Sequence, residues 1–124
     1  MTEFAPMVLV VDDDEAFRRS MTLLLTACGF AVRSFACGED LLAACDGEAR
    51  GCLVIDVHLP GLDGFRTIEQ LRARGSTLPA LLMTGRPDES MREQAAAGGL
   101  PDVLEKPLPG HVLVQAIRTV LDLG

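Results

Sequence analysis

Two acidic features of this chain could carry chemistry. Residues 7 to 21, MVLVVDDDEAFRRSM, run five apolar residues straight into four consecutive acids, Asp12 to Glu15. Farther on, Asp56 stands alone in CLVIDVHLPG, flanked by Ile55 and Val57. An ionised carboxylate in a covered strand is costly unless it is paired or coordinated. Two carboxylates about 4 Å apart repel by about 4 kcal/mol at an effective dielectric of about 20, so a cluster of three needs a proton, a base or a metal to persist. Ligands that are all oxygen, with room for water, suit Mg²⁺. With that ion in place one carboxylate can act as a nucleophile toward a phosphoryl group, because the metal and Lys106 offset charge on the transferring oxygens. Thr84 carries a hydroxyl that can donate to the same group.

Part of the acidic run has a plainer reading. Asp14 as N-cap, with Glu15 in the first turn, complements the positive end of a helix. Asp12, Asp13 and Asp56 are left over, and the elements around them must bring them together. Apolar runs predict strands at 7–11, 30–35, 52–57, 79–84 and 102–105. Between the first two, Phe17, Met21, Leu24, Leu25 and Cys28 recur at helical spacing and Gly29 follows as a stop, so the spacing predicts a helix of about fifteen residues. GEDLLAAC predicts a second helix near 39–48, and Phe65, Ile68 and Leu71 mark a third that ends at Gly75. DESMREQAAAGG predicts a fourth, ending at Gly98 and Gly99, and Leu113, Ala116, Ile117, Val120 and Leu121 define a fifth.

The first, third and fourth strands are apolar almost throughout, as parallel strands covered on both faces are. Five strands alternating with five helices therefore predict an α/β domain, a doubly wound parallel sheet with right-handed crossovers. In such a sheet ligands bind outside the carboxyl ends of the strands. Those ends carry Asp12 and Asp13, then Asp56, Thr84 and Lys106.

Composition narrows the function classes. At 124 residues the chain is read as one domain, residues 1–124, with no repeat or linker. A net charge of −7, from 18 acids against 11 bases, argues against direct nucleic-acid contact by this domain. Cys28, Cys37, Cys45 and Cys52 lack C-x-x-C or zinc spacing and read as free thiols at core or boundary positions in a reducing compartment. The apolar runs fall short of the roughly 20 residues a bilayer span needs, and residues 1 to 7 lack a signal-peptide layout. A cytoplasmic location without membrane contact is expected. The Walker pattern is absent, so nucleotide binding has no support.

In order along the chain, VLVVDDDEAFR, LVIDVHLPGLDG, LLMTG and LEKP resemble the motifs of the receiver domain of two-component response regulators, in the CheY-like superfamily. The resemblance covers essentially the whole chain. It implies a flavodoxin-like fold with strand order 2-1-3-4-5, and Asp56 as a phosphoacceptor served by a histidine kinase or histidine phosphotransfer protein. It further implies Mg²⁺ bound by Asp13, Asp56 and the backbone carbonyl of His58, with Asp12 supporting the ion in part through water. Thr84 would contact the phosphoryl group and Lys106 would pair with it. Phosphorylation would bias the loops after the third and fourth strands and change the face of helix four, strand five and helix five, acting on an output domain or partner protein or promoting a homodimer. Pro60 and Gly64 match the loop after the acceptor, and Lys106 followed by Pro107 matches a site where the family often has a cis peptide.

This chain departs from the pattern in two places. Three residues before Lys106, where receivers usually carry an aromatic switch residue, it has Val103, which cannot swing a ring. In GGLPDV, Leu100 and Pro101 replace small or flexible residues, and Pro101 stiffens entry to the last strand. His58 and Arg86, the latter two residues after Thr84, are candidates for flanking the phosphoryl group and tuning its hydrolysis, whereas His111 has no assigned role. An alternative is an Asp-nucleophile phosphatase of haloacid dehalogenase type, since Asp12 and Asp14 form an Asp-x-Asp pair. Against it, Ala16 stands where that family has Thr or Val. A third reading is a receiver fold serving as an unphosphorylated binding scaffold.

Overall fold

The computed structural model describes residues 6–45 and 50–121. The elements are β1 (Met7–Val11), α1 (Glu15–Ala27), β2 (Ala31–Phe35), α2 (Gly38–Ala44), β3 (Gly51–Asp56), α3 (Gly64–Ala73), β4 (Ala80–Thr84), α4 (Glu89–Ala97), β5 (Leu104–Glu105) and α5 (Gly110–Val120). The strands form one parallel sheet in the order β2-β1-β3-β4-β5, so the expected doubly wound architecture and its strand order are both present.

Alternation of side chains along each strand divides the core in two. Val8, Val10, Cys52, Val54, Leu81 and Met83 pack with Met21 and Leu25 of α1 and Leu113 and Ile117 of α5. Leu9, Val11, Leu53, Ile55 and Leu82 pack on the other side with Leu41 of α2, Ile68 and Leu71 of α3, and Ala95 of α4. Coverage on both faces is why β1, β3 and β4 carry almost no polar residue until their last positions.

Two glycines hold this arrangement at points of close approach. Gly51 opens β3 at φ +130, and a Cβ there would lie 1.8 Å from the Met7 carbonyl oxygen, across the β1–β3 pair. Gly64 starts α3 against the end of β3, where a Cβ would come within 2.5 Å of the Asp56 carbonyl oxygen. The helix after the sheet edge can therefore sit directly on the backbone of Asp56.

Several boundaries differ from the sequence expectation, each for a local reason. β5 spans two residues instead of 102–105. Pro101 has no amide to give, and the Asp102 side chain accepts the Val103 amide at 2.9 Å, so neither position feeds a ladder. Phe30 lies outside β2 because its amide bonds Leu25 O at the end of α1. α2 stops at Ala44, with Cys45 in an extended conformation, and the expected continuation through 46–48 lies outside the described residues. Cys28 is the C-cap of α1 and is exposed, so it is not a core residue as its spacing suggested. Cys52 is fully buried, and burial pushes its thiol up to about 12 from an ordinary 9.0, which leaves it neutral and packed in the core.

Candidate functional site

The strand register assembles the site. Val11 pairs with Ile55, so the next residues, Asp12 and Asp56, emerge side by side at the carboxyl edge. Asp56 pairs with Met83 and Thr84 with Glu105, and the Lys106 amide bonds Thr84 O at 2.8 Å. Four strand ends thus deliver Asp12, Asp13, Asp56, Thr84 and Lys106 to one crevice. The Lys106–Pro107 peptide is cis.

Carboxylate oxygens of Asp12, Asp13 and Asp56 all lie within 4.8 Å of one another. Asp12 is 1% and Asp56 8% exposed, whereas Asp13 opens to solvent. Lys106 Nζ donates to Asp12 Oδ2 at 2.5 Å and to Asp56 Oδ2 at 3.0 Å. Burial alone would lower the Lys106 pKa from 10.5. Hydrogen bonds and charge from Asp12 and Asp56 outweigh that and raise it, so the side chain stays an ammonium.

The second oxygens of Asp12 and Asp56 are partnered as well. Asp12 Oδ1 takes the Asp14 amide at 2.9 Å, and Asp56 Oδ1 takes the His58 amide at 3.0 Å. Three carboxylates facing one ammonium leave an excess of negative charge that a divalent cation offsets, and an all-oxygen donor set with one open side is the kind Mg²⁺ takes. The residues present therefore fit that ion.

Thr84 is fully buried at the end of β4, and its Oγ1 accepts the Arg86 amide at 3.2 Å, which leaves its own hydrogen free to donate. Val103 is buried in the cluster shared with α2, α3 and α4. His58 and Arg86 are exposed on the loops that follow β3 and β4, and His58 lines an open cleft with Asp13, Pro60 and Met91. His111 is exposed on α5.

Some contacts around the site were not evident from motif or period. Asp14 caps α1 as expected, accepting the Phe17 amide. Asp63 and Asp88 cap α3 and α4 in the same way, accepting the amides of Arg66 and Met91. Arg18 donates to the Asp12 carbonyl at 2.7 Å, fixing the backbone from which the first acids project. Glu39 of α2 accepts the Leu62 amide at 3.2 Å and so ties down the loop after Asp56. Phe17, predicted only as part of the α1 core stripe, has its ring centroid 4.3 Å from Lys106 Nζ. A signal existed for Arg18, which lies one helical turn beyond the Asp14 cap. Nothing in the local pattern pointed to Glu39 or to the second contact of Phe17.

Comparison with known proteins agrees with this fold. Residues 8–118 match the response regulator receiver domain family. The transcriptional regulatory protein FixJ of Bradyrhizobium diazoefficiens is 38% identical over 114 residues, covering 92% of this chain and 56% of that protein. The C4-dicarboxylate transport transcriptional regulatory protein DctD of Rhizobium meliloti is 36% identical, covering 92% of this chain and 25% of its own length. The crystal structure of full-length FixJ from B. japonicum superposes with a TM-score of 0.87 at 36% identity, covering 97% of this chain and 59% of that one. This chain thus spans little more than half of FixJ and a quarter of DctD. The haloacid dehalogenase reading is not favoured by these matches. No described helix is long and apolar enough to cross a membrane. With the sheet order, the clustered acids at its carboxyl edge and a family match over most of its length, the chain belongs to the response regulator receiver domain family.

Proposed function

We propose that this domain, taken as one unit over residues 1–124, accepts a phosphoryl group on Asp56 from the phosphohistidine of a sensor kinase or phosphotransfer protein. The observation that carries the reading is the approach of the Asp12, Asp13 and Asp56 carboxylates to within 4.8 Å, bridged in part by Lys106. When bound, Mg²⁺ would neutralise charge that accumulates on the transferring oxygens. Asp13, Asp56 and the His58 carbonyl would hold it, with Asp12 in support.

An Asp56 carboxylate oxygen attacks phosphorus, the P–N bond to the histidine breaks, and the imidazole leaves with the electron pair of that bond. Lys106 pairs with a phosphoryl oxygen and Thr84 donates a hydrogen bond to another. The product is an acyl phosphate on the domain itself, so the domain is an acceptor with slow self-hydrolysis and not a multiple-turnover enzyme.

New charge beside Thr84 and Lys106 then biases the β3–α3 and β4–α4 loops, and the face of α4, β5 and α5 changes. That face would act on an output domain or partner protein, or promote a homodimer, in the cytoplasm. Because Val103 has no ring to swing and is packed in the core, the coupling in this chain would run through Thr84 and its loop, not through an aromatic at that position.

Incubation with a small phosphodonor such as acetyl phosphate and Mg²⁺, followed by intact mass, tests the reading. One phosphoryl increment per chain, absent when EDTA replaces the metal, is expected. Continuous turnover of a phosphomonoester without a labelled protein would support the phosphatase instead, and no labelling at all would leave a binding scaffold.

His58 lines the cleft beside Asp13 and Arg86 is exposed on the loop after β4, and their side chains would limit access of water to the acyl phosphate. His58→Ala is expected to shorten the lifetime of phospho-Asp56 several-fold, measured as loss of the mass increment after donor removal. An unchanged lifetime would take the His58 side chain out of the mechanism.

A further inference from the structure

We propose that Phe17 is a positioning residue for Lys106, holding the ammonium in the acidic crevice with the face of its ring. The inference deepens the phosphoacceptor reading above and rests on it for its kinetic part. A lysine ammonium has three hydrogens. Two are used here, toward Asp12 Oδ2 and Asp56 Oδ2. Phe17 is a third neighbour of the ammonium, with Nζ over its ring and the ring centroid 4.3 Å away, inside the range over which a cation is attracted to an aromatic face.

The ring is well placed to act on the lysine and not merely to be near it. Phe17 lies in the first turn of α1, where its amide donates to the Asp14 cap, so the backbone that carries the ring is fixed. Its apolar body packs against the cluster between the sheet, α1 and α5, which limits the directions the ring can take. An aromatic face attracts the ammonium but presents no hydrogen-bond acceptor as strong as water or a carboxylate. It therefore covers the cation without competing with Asp12 and Asp56 for its hydrogens.

This matters most when Asp56 becomes an acyl phosphate. Its oxygens lose negative charge, the hold of Asp56 on Lys106 weakens, and the ammonium must shift to a phosphoryl oxygen while staying in the crevice. A ring face permits such a shift because its attraction varies gently across the surface, whereas a fixed hydrogen-bond partner would resist it. Phe17 keeps Lys106 confined through the transfer.

The test compares Phe17→Leu with Phe17→Tyr. Leu keeps an apolar side chain and removes the ring, and Tyr keeps the ring. In the unphosphorylated protein, the ε-methylene protons of Lys106 are expected to be shifted upfield by the ring current. That shift should disappear in F17L and persist in F17Y. With acetyl phosphate and Mg²⁺, F17L is expected to label Asp56 roughly three- to tenfold more slowly, the range a partly shielded cation–π contact supports, and F17Y to rescue the rate. In a Lys106→Met background, F17L should bring no further loss. A Lys106 shift that is unchanged in F17L, or a rate loss of the same size without Lys106, would overturn the proposal. If not even the unaltered chain is labelled, the phosphoacceptor reading fails by itself. The ring-current shift then still decides where Phe17 acts, its loss in F17L upholding the contact and its persistence overturning it.

Discussion

Asp56→Asn is expected to abolish phosphoryl incorporation and, in the same protein, to remove most of the stabilisation that Mg²⁺ confers. Asn keeps the shape of the side chain and one oxygen able to take the His58 amide, which Asp56 Oδ1 accepts at 3.0 Å. It lacks the second anionic oxygen, the proposed nucleophile, which accepts from Lys106 at 3.0 Å. The effect on labelling should therefore be complete, with no phosphoryl increment in intact mass. The effect on metal follows from charge. Three carboxylates against one ammonium leave room for a divalent cation, and removing one lowers the attraction for that ion without removing the crevice. A ligand that binds only the folded state at about 100 times its dissociation constant stabilises it by about 2.7 kcal/mol. Thermal unfolding with and without Mg²⁺ should show a gain of that order in the unaltered chain and little gain in Asp56→Asn. A phosphoryl increment that survives in the variant and maps to Asp13 would move the acceptor to another strand end.

The sequence made the placement of the acids legible because the information was carried by strands buried on both faces. In β1, β3 and β4 nearly every residue is apolar, so a polar residue at the end of such a run marks where the strand leaves the core. That is how Asp12, Asp56 and Thr84 could be placed at one edge, and the structure pairs Val11 with Ile55 and Asp56 with Met83, so these three residues follow one another across the sheet edge. Lys106 was recognisable for the same reason, as a lone cation between DVL and PL. What was not legible depended on reach across the fold. Periodicity reports which face of a helix is covered, but not that Phe17 serves both the core and a lysine 89 residues later. Glu39 likewise contacts Leu62 only because α2 and the loop after β3 are folded together. β5 was overextended because an apolar valine and leucine suggested a ladder, whereas the proline and the Asp102 side chain withdraw the amides a ladder needs.

Lys106→Met should change the Mg²⁺ dependence of stability in the direction opposite to Asp56→Asn, which is why the two variants together discriminate a charge-balanced metal site from a merely polar one. Met preserves much of the aliphatic stem beside Phe17 but removes the only cation paired with Asp12 and Asp56 among the described residues. Breaking a buried ion pair by deleting one partner costs about 3–5 kcal/mol. The Lys106 side chain is 21% exposed and Asp13 opens to water, so screening reduces the loss to roughly 2–4 kcal/mol in metal-free buffer. A divalent cation bound by the same carboxylates would replace the missing positive charge. Added Mg²⁺ should then stabilise Lys106→Met by more than it stabilises the unaltered chain, where the ammonium already offsets part of the repulsion. Phosphorylation should not recover in parallel. Lys106 is the group expected to meet the phosphoryl oxygen, and loss of one such preorganised donor typically slows a reaction by about 10²-fold or more. A variant that Mg²⁺ restores in unfolding temperature but not in labelling rate would separate the two duties of this lysine, holding the acids together before transfer and stabilising charge during it. If Lys106→Met were as stable as the unaltered chain in EDTA, the carboxylates would already be neutralised by protons, and the case for a resident divalent cation would lose its electrostatic basis.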